Sequence, residues 1–222
     1  MVLGIFTITA IPTVVGVSQG VSEQRKENQR QGDEKRLEKF YLDVFCDTNS
    51  DAARGLYGRR MVLRDNKIYL DSPSSEARSI PSHTAEAFYI AYPDDQRKPT
   101  LGLVSTISAD PPMLNWIYLD RHTLELKYGN RTQSREHFVG PWDWTEDEMR
   151  LTLHEIEEFA AVEGEEGVWA VYFDWDGDGL KGSVRREKKV VEISLERHMV
   201  KAEDESGKEK GDQEKGEEEK RG

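Results

Sequence analysis

The amino-acid sequence predicts a mainly β protein, an antiparallel sandwich or barrel of about nine strands with one short helix. Apolar and polar residues alternate through most of residues 40–195, and this period of two is typical of half-buried strands. Stretches rich in Asp, Gly and Pro separate the apolar runs at hairpin spacing. The tryptophans fall within about a quarter of the chain and locate its packed core; they are Trp116, Trp142, Trp144, Trp169 and Trp175.

The chain of 222 residues fits one domain with additional segments at both ends. Residues 1–21 are an apolar N-terminal segment, and residues 22–38 read as a charged linker or helix. The β-rich domain takes up residues 39–200. The tail 201–222 repeats Lys, Glu and Gly without aromatic residues, so it cannot bury enough apolar surface to fold alone and is predicted to be disordered.

Residues 2–17 carry no charge and are mostly apolar. They are fewer than the roughly 20 residues that a membrane-spanning helix needs, and Pro12 interrupts them. A secretory signal normally begins with basic residues, yet no Lys or Arg precedes Arg25. Three interpretations stay open: a segment that packs on the protein or contacts a membrane surface peripherally, a short membrane anchor, or a cleaved signal. We therefore expect a cytoplasmic or membrane-associated protein, with the secretory route as the alternative.

Nine alternating runs are the predicted strands of the β-rich domain. Asp65-Asn66-Lys67 joins the second run to the third and has the chemistry of a tight hairpin turn. In the first run, Cys46 shares one face with Phe40, Leu42 and Val44, which predicts a buried thiol. The runs lie at residues 40–46, 61–64, 68–71, 87–92, 101–107, 114–119, 123–128, 168–173 and 190–195.

The short helix is expected within residues 145–161. Thr145-Glu-Asp-Glu148 has the form of a capping box, which marks the start of many helices. Met149, Leu153, Ile156 and Ala160 follow at helical spacing. Because Leu151 and Leu153 also alternate, a strand is the alternative.

Composition and charge exclude several classes of protein. A single cysteine excludes an intramolecular disulfide and favours a reducing compartment. The net charge is −12; the tail 201–222 carries −3 and residues 23–39 carry +1, which leaves about −10 for residues 40–200. Because an acidic body repels a phosphate backbone, nucleic acid is not an expected partner. The same charge also promotes solubility.

One Asp- and Gly-rich stretch resembles the opening of a calcium-binding loop. Asp174, Asp176 and Asp178 stand at its first, third and fifth positions, and Gly179 at its sixth. The twelfth position should supply a bidentate Glu, but it is Arg185, and the flanking runs alternate as strands. We therefore interpret the stretch as a hairpin turn, with a cation site as the alternative.

The candidate ligand or partner contacts are Trp142, Asp143 and Trp144. Two tryptophans at i and i+2 in an extended segment face the same side. Paired rings beside carboxylates suit a stacked sugar or a cationic ligand, since a ring face attracts positive charge. The structural alternative is that both rings fill the core.

No motif predicts a cofactor, a metal site or a catalytic centre. The histidines His83, His122, His137, His154 and His198 have no metal-ligand spacing. The sequence contains no phosphate-binding Gly/Lys loop, dinucleotide fingerprint or Gly-x-Ser-x-Gly motif. Its carboxylates are too numerous for the sequence alone to identify a catalytic pair.

Several distinctive segments resemble a family of uncharacterised proteins from filamentous (ascomycete) fungi, and the resemblance covers most of residues 2–180. It implies a fungal origin and an apolar N-terminus that belongs to the working protein. That family has no established activity, so the resemblance identifies no catalytic residue. The segments are residues 10–16, 88–95, 101–118, 128–134 and 140–148.

From these observations we expect a non-enzymatic binding or interaction module with a protein or small-molecule partner. The alternative is a β-barrel or sandwich enzyme, a carboxylate-based hydrolase or isomerase that acts on a small or sugar-like ligand. Two carboxylates facing each other in an aromatic-lined pocket would favour the enzyme.

Overall fold

A computed structural model describes Glu27, residues 30–109 and residues 112–200. The predictions for residues 2–17 and for the tail 201–222 lie outside this part. The chain falls into two compact units, Met1–Leu37 and Glu38–Gly222. In the first unit residues 30–37 are helical, and Arg30 pairs with Glu27 at 3.0 Å and with Glu34 at 3.7 Å. The segment predicted as a charged linker or helix thus contains a helix.

In the second unit, the described residues form thirteen strands and two short α-helices. Eleven strands belong to one sheet, and the other two pair as a separate hairpin. The strands are β1 (Phe40–Phe45), β2 (Arg60–Arg64), β3 (Lys67–Asp71), β4 (His83–Thr84), β5 (Glu86–Ala91), β6 (Leu101–Ala109), β7 (Pro112–Leu119), β8 (Leu126–Gly129), β9 (Trp142–Trp144), β10 (Leu151–Leu153), β11 (Phe159–Glu163), β12 (Trp169–Phe173) and β13 (Val190–Met199). The helices are α1 (Asp51–Leu56) and α2 (Arg131–Ser134).

The large sheet closes on itself. Its strands follow the order β12-β11-β13-β1-β5-β6-β7-β8-β3-β2-β4, and β3 pairs additionally with β12. The nine strands from β12 round to β3 therefore form a ring of antiparallel pairs, and a further pairing joins β1 to β2. At the closing seam Leu70 lies opposite Trp169 and Tyr69 lies opposite Ala170. The prediction of an antiparallel barrel of about nine strands is confirmed.

The alternation in the sequence places one face of each strand in a continuous core. In β1 the side chains of Phe40, Leu42 and Val44 are at most 3% exposed, and Val44 lies opposite Leu195 of β13. Burying each side chain of this size contributes about 1.5–3 kcal/mol. Cys46 is also buried, as predicted, and burial raises the pKa of its thiol.

The predicted hairpin turn between β2 and β3 is confirmed. Asp65 and Asn66 have φ angles of 49° and 63°, the left-handed pair that a two-residue type I′ turn requires. Asn and Asp tolerate this conformation better than most residues, because their short polar side chains bond locally.

The prediction of a helix within residues 145–161 is wrong. Leu151 and Leu153 are fully buried in β10 and lie opposite Trp144 and Trp142 of β9. The capping-box residue Thr145 instead closes a turn, where its side-chain oxygen accepts a hydrogen bond from the Arg150 N–H at 3.1 Å. Strand pairing and burial therefore outweigh the local helix signal.

The short helices lie elsewhere and begin at side-chain caps. Ser50 Oγ accepts a hydrogen bond from the Ala53 N–H at 3.1 Å at the start of α1. A reciprocal capping box of Asn130 and Gln133 starts α2. Among the described residues, no helix has both the length and the apolar character needed to cross a membrane.

Candidate functional site

The β9–β10 hairpin carries the three predicted contact residues. Trp142 and Trp144 face the same side of β9, as predicted, and that side packs against the core. Trp142 has no exposed surface, and its ring centroid lies 6.5 Å from that of Phe159. Trp142 therefore fixes the hairpin to the barrel, and of the three residues only Asp143 and Trp144 reach a surface that a ligand could contact.

The half-buried ring of Trp144 is already in contact with a cation of this protein. The Arg197 guanidinium lies over it, 4.1 Å from the ring centroid. Tyr89 meets the same ring edge-on at 5.3 Å between centroids. A ligand at this residue can therefore use only the remaining ring surface.

Next to Trp144 lies an open groove of about 810 Å³, which we call the acidic groove. Its guanidinium, from Arg150, lies 3.0 Å from the Glu157 carboxylate, so it is already paired. Hydrogen bonds from the Thr145 hydroxyl and the Met149 N–H lower the pKa of Asp147. The groove is therefore strongly negative at neutral pH. Its carboxylates belong to Asp143, Glu146, Asp147, Glu155 and Glu157.

The turns that border the acidic groove have fixed, unusual backbone conformations. Glu148, His154 and Glu155 have φ angles of 59°, 52° and 65°, in the left-handed region that side-chain-bearing residues rarely adopt. His154 and Glu155 form the tight turn after β10, where Leu153 and Ile156 exchange two backbone hydrogen bonds. The groove's carboxylates are thus carried on a constrained scaffold.

The Asp- and Gly-rich stretch forms a turn held by its own first carboxylate. Asp174 Oδ1 accepts a hydrogen bond from the Asp178 N–H at 3.2 Å, and Oδ2 accepts one from the Gly179 N–H at 2.7 Å. Asp178 Oδ1 accepts another from the Lys181 N–H. This geometry supports the interpretation as a turn. Within the described ranges, no cluster of three or more His, Cys, Asp or Glu side chains is placed to hold a metal ion.

Two buried aspartates organise loops. Asp71 accepts hydrogen bonds from three backbone N–H groups, those of Ser72, Ser79 and Ile80. Asp120 Oδ2 accepts a hydrogen bond from Lys127 Nζ at 2.7 Å, and Oδ1 accepts bonds from two N–H groups of the following turn. Burial would raise the pKa of Asp120, but these bonds outweigh it and lower the pKa to about 2.

A second concavity lies on the outer face of the barrel at the seam between β3 and β12, and we call it the Glu125 cleft. It has a volume of about 420 Å³, and its polar lining includes Glu125, Lys67, Tyr69 and Tyr172. The sequence did not predict it. Alternation within residues 123–128 places Glu125 on a polar face, but its approach to Tyr172 depends on closure of the ring.

Comparisons with known proteins identify the family. A family model described as the fungal beta-trefoil domain matches residues 16–201. No curated protein and no solved structure matches the chain. Domains with the β-trefoil fold often mediate binding or interaction, and the resemblance to an uncharacterised fungal family is confirmed. Because the match covers most of its length, the chain belongs to the family of fungal β-trefoil domains.

Proposed function

We propose that this domain is a non-enzymatic binding module that holds a basic segment of a partner protein in the acidic groove. The observation that carries the proposal is the charge of the groove, whose described lining residues include five carboxylates and one guanidinium. Since that guanidinium is already paired with Glu157, the carboxylates of Glu146, Asp147 and Glu155 in the described lining remain to attract a cationic ligand. Lys or Arg side chains of a partner would neutralise their charge.

The neighbouring residues take distinct roles in this proposal. Asp143 supplies a carboxylate on the strand itself. Its Oδ1 also accepts a hydrogen bond from the backbone N–H of Trp144 at 3.0 Å. The half-buried Trp144 ring lines the groove and offers apolar surface to the methylene groups of a Lys or Arg side chain. Trp142 holds β9 against the core and keeps both neighbours in place.

Electrostatics also favours binding over a carboxylate-based hydrolase. Such an enzyme needs a general acid whose pKa is raised, so that the group is protonated at neutral pH. In the acidic groove the pKa of Asp147 is lowered by its hydrogen bonds to Thr145 and Met149, so this carboxyl group does not meet that requirement. Ionised carboxylates accept hydrogen bonds and attract cations, which suits a binding groove.

The test uses the full chain and a fluorescein-labelled octalysine peptide, followed by fluorescence anisotropy. Glu146→Lys with Glu155→Lys reverses two exposed carboxylates of the groove, and Glu76→Lys with Glu187→Lys gives the same change in net charge outside it. We expect the groove variant to weaken binding about tenfold or more, since two favourable pairs become repulsive. The control should stay within about twofold of the parent protein.

Salt dependence provides a second readout. Binding should weaken steeply between about 50 and about 500 mM NaCl, because screening shortens the range of surface charges. Equal losses in the two variants would show that net charge alone attracts the peptide, and this outcome would overturn the assignment of the groove.

A further inference from the structure

Closure of the barrel brings polar groups from three strands together on its outer face. Tyr69 of β3 lies opposite Ala170 of β12, and Tyr172 follows two residues later on the same face. Glu125, immediately before β8, forms a bridge with Tyr172. Lys67 precedes Tyr69 by two residues and therefore shares its face. The intervening residues of β3 and β12 are buried in the core, so these side chains face outward.

Two loops raise walls around this face and make it a cleft. Leu180 and Val184, from the loop that follows β12, pack on the outer side of β11. Lys188 of the same loop lines one edge of the cleft, and Ile80 lines another. The Ile80 N–H donates to the Asp71 carboxylate at 3.1 Å, so the second wall is held in position.

The Glu125 carboxylate accepts fewer hydrogen bonds than the carboxylates of the buried aspartates Asp71 and Asp120. Glu125 is 4% exposed, yet its carboxylate accepts one hydrogen bond among the described residues, from Lys67 Nζ to Oε1 at 3.0 Å. Asp71 and Asp120 each receive three. Burying a carboxylate is costly when its acceptor sites stay empty. The second oxygen, Oε2, is therefore an unfilled acceptor on the wall of the cleft.

The two tyrosines supply matching donors. In the described part of the chain, neither the Tyr69 nor the Tyr172 hydroxyl forms a hydrogen bond with a protein group. Burial and then the nearby charge of Glu125 raise the pKa of Tyr172 to about 12, so its hydroxyl keeps its proton. Both side chains are half-buried and line the cleft beside Glu125, so their hydroxyls are open to water or to a ligand.

The charges of the cleft are balanced. Burial alone would lower the pKa of Lys67, but the hydrogen bond and charge of Glu125 outweigh it and raise that pKa, so the ion pair persists at neutral pH. At the rim, Arg64 pairs with Asp65 at 3.0 Å. A charged ligand would therefore disturb existing pairs, whereas a neutral ligand would leave them intact.

From this geometry we propose that the Glu125 cleft is a second binding site that takes a neutral, hydroxyl-rich small molecule, a monosaccharide ring. Adjacent hydroxyls of a sugar both donate and accept, which matches a carboxylate oxygen, two phenol groups and an ammonium in one cleft. The tyrosine rings and Ile80 offer apolar surface for the C–H face of the ring. The volume of about 420 Å³ lies within the range of small-molecule sites. This site is separate from the acidic groove and does not depend on the function proposed for it.

The test is saturation-transfer NMR on the full chain with glucose, galactose, mannose, N-acetylglucosamine and their methyl glycosides. The methyl glycosides stand for a sugar at the end of a glycan, so the two sets separate a free sugar from a linked one. We expect at least one of these probes to bind, and Tyr69→Phe and Tyr172→Phe each to weaken its affinity about tenfold.

Stability and charge provide the controls. Because neither hydroxyl bonds to a described protein group, both variants should keep the melting temperature of the parent protein, and Tyr57→Phe, on an exposed residue outside the cleft, should leave affinity unchanged. Glucosamine and glucose 6-phosphate should bind more weakly than the neutral sugars. Absence of binding by every neutral sugar, binding unaffected by both variants, or tighter binding of a charged sugar would each overturn the proposal.

Discussion

Arg197 of β13 and Trp144 of β9 are joined by a cation–π contact, with 4.1 Å between the guanidinium carbon and the ring centroid. Arg197 also donates from Nη1 to the Glu148 carbonyl at 3.1 Å and from its backbone N–H to the Met149 carbonyl at 2.8 Å. Since β9 and β10 form a sheet of their own, these contacts link the edge of the acidic groove to the barrel.

We predict that Arg197→Met lowers the free energy of unfolding by about 1–3 kcal/mol. The variant keeps an apolar stem but loses the cation–π contacts with Trp144 and Phe40, worth about 0.5–2 kcal/mol together. It also loses the hydrogen bond to the Glu148 carbonyl, worth about 1 kcal/mol, and a weak one to Met199 Sδ. Urea denaturation of both proteins measures the difference. Arg197→Lys keeps the charge and should fall between them; a Met variant as stable as the parent would show that the contact contributes nothing.

Alternation in the sequence predicted the strands whose two faces differ. All nine predicted runs overlap strands, because one-sided burial leaves a local signature. Strands β10 and β11 left no such signature. Leu151 to Leu153 are all buried, and Phe159 to Val162 are buried on both faces, one by the core and one by Leu180. Because these strands are buried on both faces, apolar and polar residues do not alternate along them. The apolar residues of this stretch therefore showed a helical spacing instead.

The two candidate sites differ in the same way. The predicted contact residues Trp142, Asp143 and Trp144 are neighbours in the chain. The local composition was therefore enough to predict this segment as a contact site. The Glu125 cleft joins residues from β3, β12 and the start of β8, which are separated by up to about a hundred positions. Only the closing pair of the ring brings them together, and no local pattern encodes that pairing.

We predict that Gly140→Ala destabilises the protein by about 3 kcal/mol or more. Gly140 has a φ angle of 147°, which side-chain-bearing residues rarely adopt, and an added Cβ would overlap the Leu101 carbonyl oxygen. Gly55 in α1 is the matched control, since a Cβ there meets no atom within 4 Å. Gly55→Ala should stabilise by about 0.5–1 kcal/mol. Thermal or urea unfolding checks both, and equal effects of the two substitutions would contradict the prediction.

We also predict that a chain beginning at Ser22 stays folded but loses membrane or partner association. The apolar surface of residues 2–17 favours burial at about 25 cal/mol per Å², and its uncharged β-branched residues would promote aggregation if exposed. Fractionation of cells that express both forms, with sequencing of the mature N-terminus, measures this. A wholly soluble full-length protein would contradict membrane contact, and a mature chain that begins near Gln19 would establish a cleaved signal.

The last prediction concerns acid stability and the Asp120–Lys127 pair. The pKa of Asp120 is about 2 in the folded protein, below the value of about 3.9 for an unfolded chain. A lowered carboxyl pKa stabilises the fold above pH 4, by about 2 kcal/mol here, and this contribution is lost as the pH falls towards 2. Asp120→Asn should therefore be less stable than the parent by about that amount at pH 7, with a gap that narrows below pH 4. Urea denaturation from pH 7 to pH 2 measures the difference in free energy of unfolding between the variant and the parent. The titration of the other acidic residues affects both proteins equally and cancels in this difference. Lys127→Met removes the largest attraction for the Asp120 carboxylate, so the stability difference between this variant and the parent should also narrow on acidification. A difference that stays constant from pH 7 to pH 2 would show that Asp120 acts through shape and not through charge.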